Sequence, residues 1–382
     1  MEINLTLWIQ NSDTYLTLLL ISLYLKIIGS LQFQLNCIEE KQLFNTALAH
    51  VRMSFMHIVF YHQERIPVRF YGGTERVIEA LCRGFIELGH KVSLISFKGD
   101  DSIPGVNHIY LDSVARQNIS NEYVKLIPKD ADVIHYHVPC KQDDIDLPCP
   151  YVSTQHGNML AHEDPTTLPK NSIFISKNHA GRHGRKDFVY NGLDYREIPL
   201  NQTPLKKRKG YSFLGKASLK RKGLDSAKKI ARHFKKPLFV AGGHGLPWRG
   251  VRYLGPVNNQ QKFKLLGNTQ ALLFPIRWEE PFGLVMIEAM FCGTPVFALK
   301  RGSVPEVLLQ EESANNFNIV AKNTDELMQK IDHSEQKISP DAIRQYAEKY
   351  FGHLEMCEGY LKYYEKVRDG EDLFSKSSPS AS

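Results

Sequence analysis

Much of the chemistry open to a chain of 382 residues is ruled out here by what is missing. The six cysteines, Cys37, Cys82, Cys140, Cys149, Cys292 and Cys357, form no C-x-x-C pair and have no histidine at zinc-site spacing, so neither a disulfide framework nor a zinc site is expected. Scattered thiols in a chain of this size point instead to a reducing compartment. No G-x-G-x-x-G follows either half's first predicted strand, which weakens the case for an NAD-dependent oxidoreductase. Asp144-Ile145-Asp146 has the letters of a D-x-D metal motif but stands in a polar loop beside Asp143, Pro148 and Pro150, so a metal-bridged diphosphate is not the expected chemistry. Collagen-like, coiled-coil and wholly disordered composition are absent as well: hydrophobic residues make up 42% and charged residues 23%.

Long apolar runs are scarce. The one near the N-terminus, Tyr15 to Leu31, is interrupted by Lys26, preceded by Glu2 and Asp13, and followed by no cleavage site, which argues against a secretory signal. Three readings stay open: a signal anchor, an accessory helix, or translated sequence upstream of the true start. The last is favoured because Met56 opens an apolar strand, His57–Tyr61; Met53 would serve equally. Residues 1–55 are thus read as an extension, either outside the native protein or a weak membrane anchor.

From Met56 onward short apolar runs alternate with helical periods, as in a parallel sheet covered on both faces. Predicted strands are His57–Tyr61, Val92–Phe97, Val133–His137, Tyr151–Thr154, Ile173–Ser176 and Phe188–Tyr190, with a helix from Thr74 to Leu88 closed by Gly89. The pattern lapses near residues 196–210, with a basic run from Lys206 to Lys209, and this reads as an interdomain linker. A second series follows at Tyr211–Leu214, Leu238–Ala241, Val251–Leu254, Ala271–Pro275, Pro295–Leu299 and Asn316–Val320. The expected organisation is an α/β chain of two Rossmann-like domains facing each other across a cleft, at 56–200 and 201–350. A closing helix at 351–374 and a disordered tail at 375–382 complete it. The net charge of +7 suits anionic partners such as nucleotides, phosphate esters or acidic lipid headgroups. Mild basicity is no argument for nucleic acid, and none is expected as a partner.

The most informative stretch is Glu280-Pro281-Phe282-Gly283-Leu284-Val285-Met286-Ile287-Glu288-Ala289-Met290, ending in Gly293-Thr294-Pro295-Val296. A strand ends near Pro275, a short loop carries Glu280, and a helix begins near Gly283. The amides of Gly283, Leu284 and Val285 then lack intrahelical partners and, with the helix dipole, suit a diphosphate. Glu288 lies about one turn in, where a carboxylate can accept hydrogen bonds from ribose hydroxyls, while Glu280 faces the sugar. Spacing alone proves little, since Glu79 and Glu87 are equally spaced on an ordinary amphipathic helix. The ordered context of strand, turn, helix and glycine separates the two pairs.

Three further constellations belong with it. Lys216 and Lys222, in the turn after the strand that opens the second half, can neutralise a departing diphosphate, whereas Lys220 and Arg221 read as solvated. Gly72 and Gly73, in Tyr71-Gly72-Gly73-Thr74-Glu75-Arg76, let a backbone approach a ligand closely, although paired glycines also simply make turns. His156, in Thr154-Gln155-His156-Gly157, stands at a strand end facing the cleft; a structural histidine is the competing reading. His135 and His137 are weaker acceptor-side candidates. Gly243 sits in a glycine turn where base or phosphates pass.

The segment from Glu280 to Val296 resembles the family 4 glycosyltransferases, retaining enzymes of the two-domain GT-B fold, in their E-x7-E setting E-P-F-G-x-x-x-x-E-A-M-x-x-G-x-P-V. The resemblance extends over roughly Met56 to Val367. It implies that Glu280 contacts the donor sugar, that Glu288 contacts the ribose, and that Gly72 and Gly73 close over the donor phosphates. It further implies a histidine near the reaction centre at His156 and nucleobase contacts from the backbone around Val257. Lys222 matches the family lysine, while Lys216 replaces an arginine and keeps the charge without the bidentate fork. Arg301-Gly302-Ser303-Val304-Pro305-Glu306 departs by one residue from the usual Gly-Gly-x-Pro-Glu.

The implied activity is transfer of a sugar from a nucleotide diphosphate donor to a hydroxyl on a glycan, lipid-linked or small acceptor, with retention and with no metal or cofactor. The implied setting is cell-envelope polysaccharide synthesis in the cytoplasm, with peripheral contact at the inner membrane face as a further expectation. Competing readings are a nucleotide-sugar epimerase, a phosphorylase, for which no cofactor lysine is marked, and a catalytically silent binding protein on the same scaffold.

Overall fold

The structure, a computed structural model, describes residues 55–68, 72–99, 101–111, 121–138, 145–159, 164, 167–246, 250–310, 317–334 and 338–374. Contacts divide the chain into two units, Met1–Met56 and His57–Ser382, and the fold below is that of the second. The expectations for residues 1–54 and for the tail at 375–382 lie outside the described residues, as do Cys37, Cys140, Tyr71, Asp143, Asp144 and Asn316.

The first half carries strands β1 (His57–Ile66), β2 (Lys91–Lys98), β3 (Asn107–Tyr110), β4 (Val133–Tyr136), β5 (Tyr151–Gln155) and β6 (Ser172–Phe174). Helix α1 (Gly73–Glu87) joins β1 to β2, and the short α2 (Lys177–Arg182) follows β6. The second half begins with β7 (Tyr211–Leu214), α3 (Leu224–His233), β8 (Leu238–Ala241) and β9 (Val251–Gly255). It continues through α4 (Asn259–Asn268), β10 (Ala271–Phe274), α5 (Leu284–Phe291), β11 (Val296–Leu299) and α6 (Val304–Leu308). Strand β12 (Ile319–Ala321) and helices α7 (Thr324–Asp332), α8 (Pro340–Phe351) and α9 (His353–Arg368) complete it.

The strands pair in parallel within two six-stranded sheets, ordered β3-β2-β1-β4-β5-β6 and β12-β11-β10-β7-β8-β9. Counted from the first strand of each half the two orders are identical. Each sheet reverses its winding beside that first strand, between β1 and β4 and between β7 and β10. A sheet of this kind opens a crevice beyond the carboxyl ends of its strands at the reversal, and ligands bind there.

Helix α1 buries Val77, Ile78, Leu81 and Phe85, the stripe its periodicity predicts, and Gly89 ends it at φ 87°. Helix α5 is different. Met286, Ile287, Ala289, Met290 and Phe291 are all fully buried, so it runs through the core rather than over it and takes Glu288 inside with it. Helix α9 returns to the first sheet, where Tyr364 Oη meets His135 Nδ1 at 2.7 Å and Tyr360 Oη meets Thr154 Oγ1 at 2.9 Å. Burying such aromatic bodies stabilises by about 1.5–3 kcal/mol each.

Several sequence expectations are corrected. Strand β3 is missed because it is an edge strand with exposed ends and only half-buried centre residues, and so carries no apolar run. Phe188–Tyr190 is not a strand; it makes one bridge, Phe174 to Phe188, while Tyr190 packs on Phe282 and Phe351. The run Ile173–Ser176 leaves the sheet after Phe174 because Ser176 turns to cap α2, accepting from the His179 amide. The last strand lies at Ile319–Ala321 rather than from Asn316. Within the basic linker Arg208 is buried, donating to Thr294 Oγ1 at 2.7 Å and to the Thr203 carbonyl at 2.8 Å. The four described cysteines, Cys82, Cys149, Cys292 and Cys357, are free and buried.

Candidate active site

The reversal between β7 and β10 brings together two turns that are distant in sequence. After β7 the chain makes a tight turn through Gly215, whose amide donates to the Ala241 carbonyl, and then a single 3-10 turn over Lys220–Lys222. Gly223 closes that turn in the left-handed region at φ 78°, where a Cβ would sit 1.9 Å from the Pro275 carbonyl oxygen. Only glycine fits, and the fit seats Lys222 against the end of β10. After β10 come Trp278 and Glu280. Lys222 Nζ lies 3.2 Å from Glu280 Oε2, and Trp278 Nε1 donates to the same oxygen at 2.8 Å. Lys222 and Arg221 both lie over the Trp278 ring, so Arg221 is packed there rather than merely solvated.

Glu280 is held from behind as well. Gly302, at φ 54°, comes so near that a Cβ would stand 2.3 Å from the Glu280 carbonyl oxygen. The Ser303 amide donates to that oxygen at 3.0 Å, and Ser303 Oγ donates to the Phe282 carbonyl at 2.9 Å. Helix α5 then starts with left-handed Gly283 as its N-cap and no side chain capping it, which leaves its first amides open to an anion. Pro281 and Phe282 are buried beneath this opening, and Leu284 and Val285 are half-buried at it.

Glu288 is buried on α5. Its Oε1 accepts from Lys262 Nζ of α4 at 2.6 Å and from the Arg76 guanidinium of α1, in the other half of the molecule. Burial alone would raise its carboxyl, but Arg76 and Lys262 hold it below the usual carboxylate range. Lys262 itself is drawn down by burial despite the attraction of Glu288. One carboxylate faces two cations here, so it gains more than either cation does. Gly73 is close by: a Cβ there would lie 3.6 Å from Leu284 Cδ1, which places the paired-glycine turn over the end of α5. Gly72 sits next to it as the N-cap of α1.

The remaining expected residues line the same edge. Lys216 is exposed beside Lys222 and makes no ion pair among the described residues. Gly243 and Val257 follow β8 and β9 at their carboxyl ends, and Gly243 packs on Ala217 of the Lys216 turn.

The first half contributes imidazoles. His137 Nδ1 meets His156 Nε2 at 2.8 Å, with the rings stacked. His135 is fully buried, with Nδ1 on Tyr364 Oη and Nε2 on Thr154 Oγ1 at 2.6 Å; it is a core residue, and its acceptor-side candidacy falls. His137 Nε2 and both ring nitrogens of His62 are buried with no hydrogen-bond partner among the described residues. Burial keeps His135, His137, His156 and His179 neutral. It lowers His135 and His137 well below 6.5, and it pushes His156 and His179 down to about 3, helped by His62 at the former and His183 at the latter.

Acid lability follows. Below pH 6.5 the unfolded chain takes up protons at these positions and the folded chain does not, so stability is at its full value above 6.5 and falls as pH drops toward the folded values. Each fully buried imidazole removes up to about 1.4 kcal/mol per pH unit. The melting temperature is expected to decline steadily from about pH 6.5 to about pH 4.5. A flat profile across that range rules the neutral cluster out.

Sequence reasoning has Arg76 within the glycine motif and Trp278 within the stretch that leads to Glu280 but gives neither a role, and it overlooks Lys262. The signal available was the tryptophan two residues before Glu280; nothing in the sequence links Arg76 to a carboxylate 212 residues away. Among the described residues no group of three or more His, Cys, Asp or Glu is placed to hold a metal ion, and no helix is long and apolar enough to cross a membrane.

Residues 202–350 match the family model described as "Glycosyl transferases group 1". A phosphatidyl-myo-inositol mannosyltransferase of Propionibacterium freudenreichii subsp. shermanii is 30% identical over 134 residues, covering 32% of this chain and 35% of that protein. The chain thus matches well under two thirds of that relative's length. Among solved structures, AviGT4, a glycosyltransferase involved in avilamycin A biosynthesis, superposes with a TM-score of 0.65 at 19% identity, covering 83% of this chain and 99% of the other. Anabaena Alr3699/HepE, solved in complex with UDP and glucose, does so with a TM-score of 0.59 at 15% identity, covering 80% and 98%. The second half thus matches the glycosyl transferases group 1 family over residues 202–350, and the two halves together have the GT-B fold.

Proposed function

We propose that this protein transfers a sugar from a nucleotide diphosphate donor to an acceptor hydroxyl, with retention at the anomeric carbon. The observation that carries the reading is that Glu280 with its Lys222 partner, the uncapped start of α5, and Glu288 bound to Arg76 of the other half follow one another along α5 where the halves meet. The diphosphate rests on the amides of Gly283, Leu284 and Val285, beside Lys222 and Lys216. As the glycosyl bond breaks, negative charge grows on the departing phosphate, and positive groups already in place there supply several kcal/mol. Glu288 receives the ribose hydroxyls, with Arg76 and Lys262 fixing its carboxylate. Glu280 binds the donor sugar, and its partnership with Lys222 and Trp278 suits a fixed acceptor of hydrogen bonds better than a covalent nucleophile. His156, steadied by His137, orients the sugar. The acceptor hydroxyl attacks from the face that the phosphate leaves, and the phosphate takes its proton.

The relative that transfers mannose and the neighbour solved with UDP and glucose support a hexose on a nucleotide donor. A lipid-linked or glycan acceptor fits the same comparison, with the enzyme in the cytoplasm or against the inner membrane face. No cofactor beyond the donor is needed.

A thermal-shift panel of nucleotide sugars tests donor binding, because a ligand bound only by the folded state stabilises by mass action. If no member raises the melting temperature, the reading is wrong. Acceptor-free donor hydrolysis separates an enzyme from a silent binder, and the product anomer, read by NMR, tests retention independently. The clamp behind Glu280 makes a further expectation. Gly302→Ala displaces the Glu280 backbone and lowers kcat by about 10²-fold, since a shift of about 1 Å suffices for that. An unchanged kcat in this variant removes Glu280 from the reaction centre.

A further inference from the structure

A cavity of about 420 Å³ opens between α2 of the first half and the turn after β11 of the second, with Glu279, the neighbour of Glu280, in its lining. Its volume falls within the range of about 300–1,000 Å³ usual for small-molecule sites. The cavity is lined by Lys177, Lys300 and Arg301 and by two carboxylates, Glu279 and Glu306.

The carboxylates are already engaged. Glu306 accepts from the Lys177 and Asn178 amides at 3.0 and 2.9 Å and from Tyr190 Oη at 3.0 Å. Glu279 accepts from the Gly302 amide at 2.6 Å. The cations are not: none of the three forms an ion pair among the described residues, and Arg301 donates only to the Lys300 carbonyl. Three positive side chains with uncommitted donors therefore face the cavity, against two carboxylates, of which Glu306 accepts through both oxygens and Glu279 through one.

The location decides what kind of ligand enters. In the sheet order β11 lies on the far side of β10 from β7, so this cavity is not the diphosphate cradle formed by Lys216, Lys222 and α5. Yet it is adjacent to the chemistry. Glu279 and Glu280 are consecutive, and they send their side chains apart, one to the Gly302 amide and the other to Lys222. A molecule in the cavity thus lies one residue from the carboxylate assigned to the donor sugar. Its other wall is α2, from the first half of the molecule.

We propose that this cavity is an acceptor subsite for a sugar bearing an anionic group, a phosphate or a carboxylate, bound by Lys177, Lys300 and Arg301. The proposal rests on the glycosyltransferase reading above for the word acceptor, but not for the binding of the anion. Arg301 supplies a planar fork and the two lysines supply point charges, a combination suited to either group.

Calorimetry on the full chain tests it, with the donor cradle filled by whichever of UDP, GDP or ADP raises the melting temperature most. The probes are glucose 6-phosphate, glucuronate, glucose and inorganic phosphate. Both anionic sugars are expected to bind at least about tenfold more tightly than glucose. The surface double variant Lys300→Ala/Arg301→Ala, and separately Lys177→Ala, are expected to weaken that binding by about tenfold or more while leaving nucleotide binding unchanged. The proposal is overturned if glucose binds as well as its phosphate, or if the substitutions change nothing. It is overturned equally if Lys222→Ala abolishes the anion binding instead, if inorganic phosphate alone binds as tightly as the sugar phosphate, or if neither anionic sugar binds at millimolar concentration. Failure of every nucleotide to bind, with the anionic sugars still held by Lys300 and Arg301, would strike the glycosyltransferase reading and leave the anion site standing.

Discussion

Lys222→Ala lowers kcat by about 10²–10³-fold, as removal of one charge-stabilising donor does in a preorganised site. The side chain is 22% exposed and 3.2 Å from Glu280, and the left-handed Gly223 fixes its turn against Pro275. An ammonium held in that way needs no reorganisation when the phosphate takes on charge. Its loss has a second effect, since among the described residues Glu280 then keeps the Trp278 indole alone as a side-chain partner and its carboxylate is no longer neutralised. Lys222→Arg restores part of the rate, because the charge returns with a different reach. The comparison is made with the donor saturating, and nucleotide binding is followed by thermal shift so that a lost substrate is not mistaken for lost chemistry. Turnover within threefold of the parent, with donor fully bound, would remove Lys222 from the leaving-group role.

Glu288→Ala has the other large effect, and it falls on stability. The carboxylate is buried between Arg76 and Lys262, whose side chains are 14% and 13% exposed. Removing it leaves two desolvated cations facing each other, which costs about 3–5 kcal/mol in a buried pair of this kind. The urea midpoint therefore moves sharply downward. Arg76→Ala in the same chain relieves part of the repulsion, so the double variant is more stable than the sum of the single losses predicts, by more than about 0.5 kcal/mol. Strict additivity would mean that the three side chains do not share one network.

These two sites differ in how far the sequence disclosed them. Everything around Glu280 falls within one run of strand, loop and helix, where hydrophobic period, glycine and proline mark each boundary. Local rules therefore suffice to put Glu280, Gly283 and Glu288 on one side. Lys222 was legible because a basic turn after a first strand has few structural uses. Arg76 and Lys262 were not, because each stands on an amphipathic helix where a cation reads as a solvated charge, and only the meeting of the halves gives it a partner. The three histidines near the ends of β4 and β5 were equally opaque. His135 and His137 are two residues apart and share one face with their rings 4.0 Å apart, yet His135 is closed by Tyr364 and Thr154 while His137 lies next to His156. Strand alternation puts both on one face but does not say which of them α9 covers. Edge strand β3 had no pattern to find, and the aromatic run at Phe188–Tyr190 imitated a strand because it is buried by ring packing instead of by a ladder.

Helix α9 has a consequence for how the protein can be divided. It is the last helix along the chain, yet its tyrosines are bonded to residues of the first sheet, and Cys357 Sγ reaches the Leu81 carbonyl of α1. A fragment cut between the halves would strip the N-terminal piece of its lid and leave the C-terminal piece carrying a sticky aromatic ridge with nothing to sit on. Each sheet is complete by itself, but the polypeptide is stitched so that neither can be harvested without the other's thread.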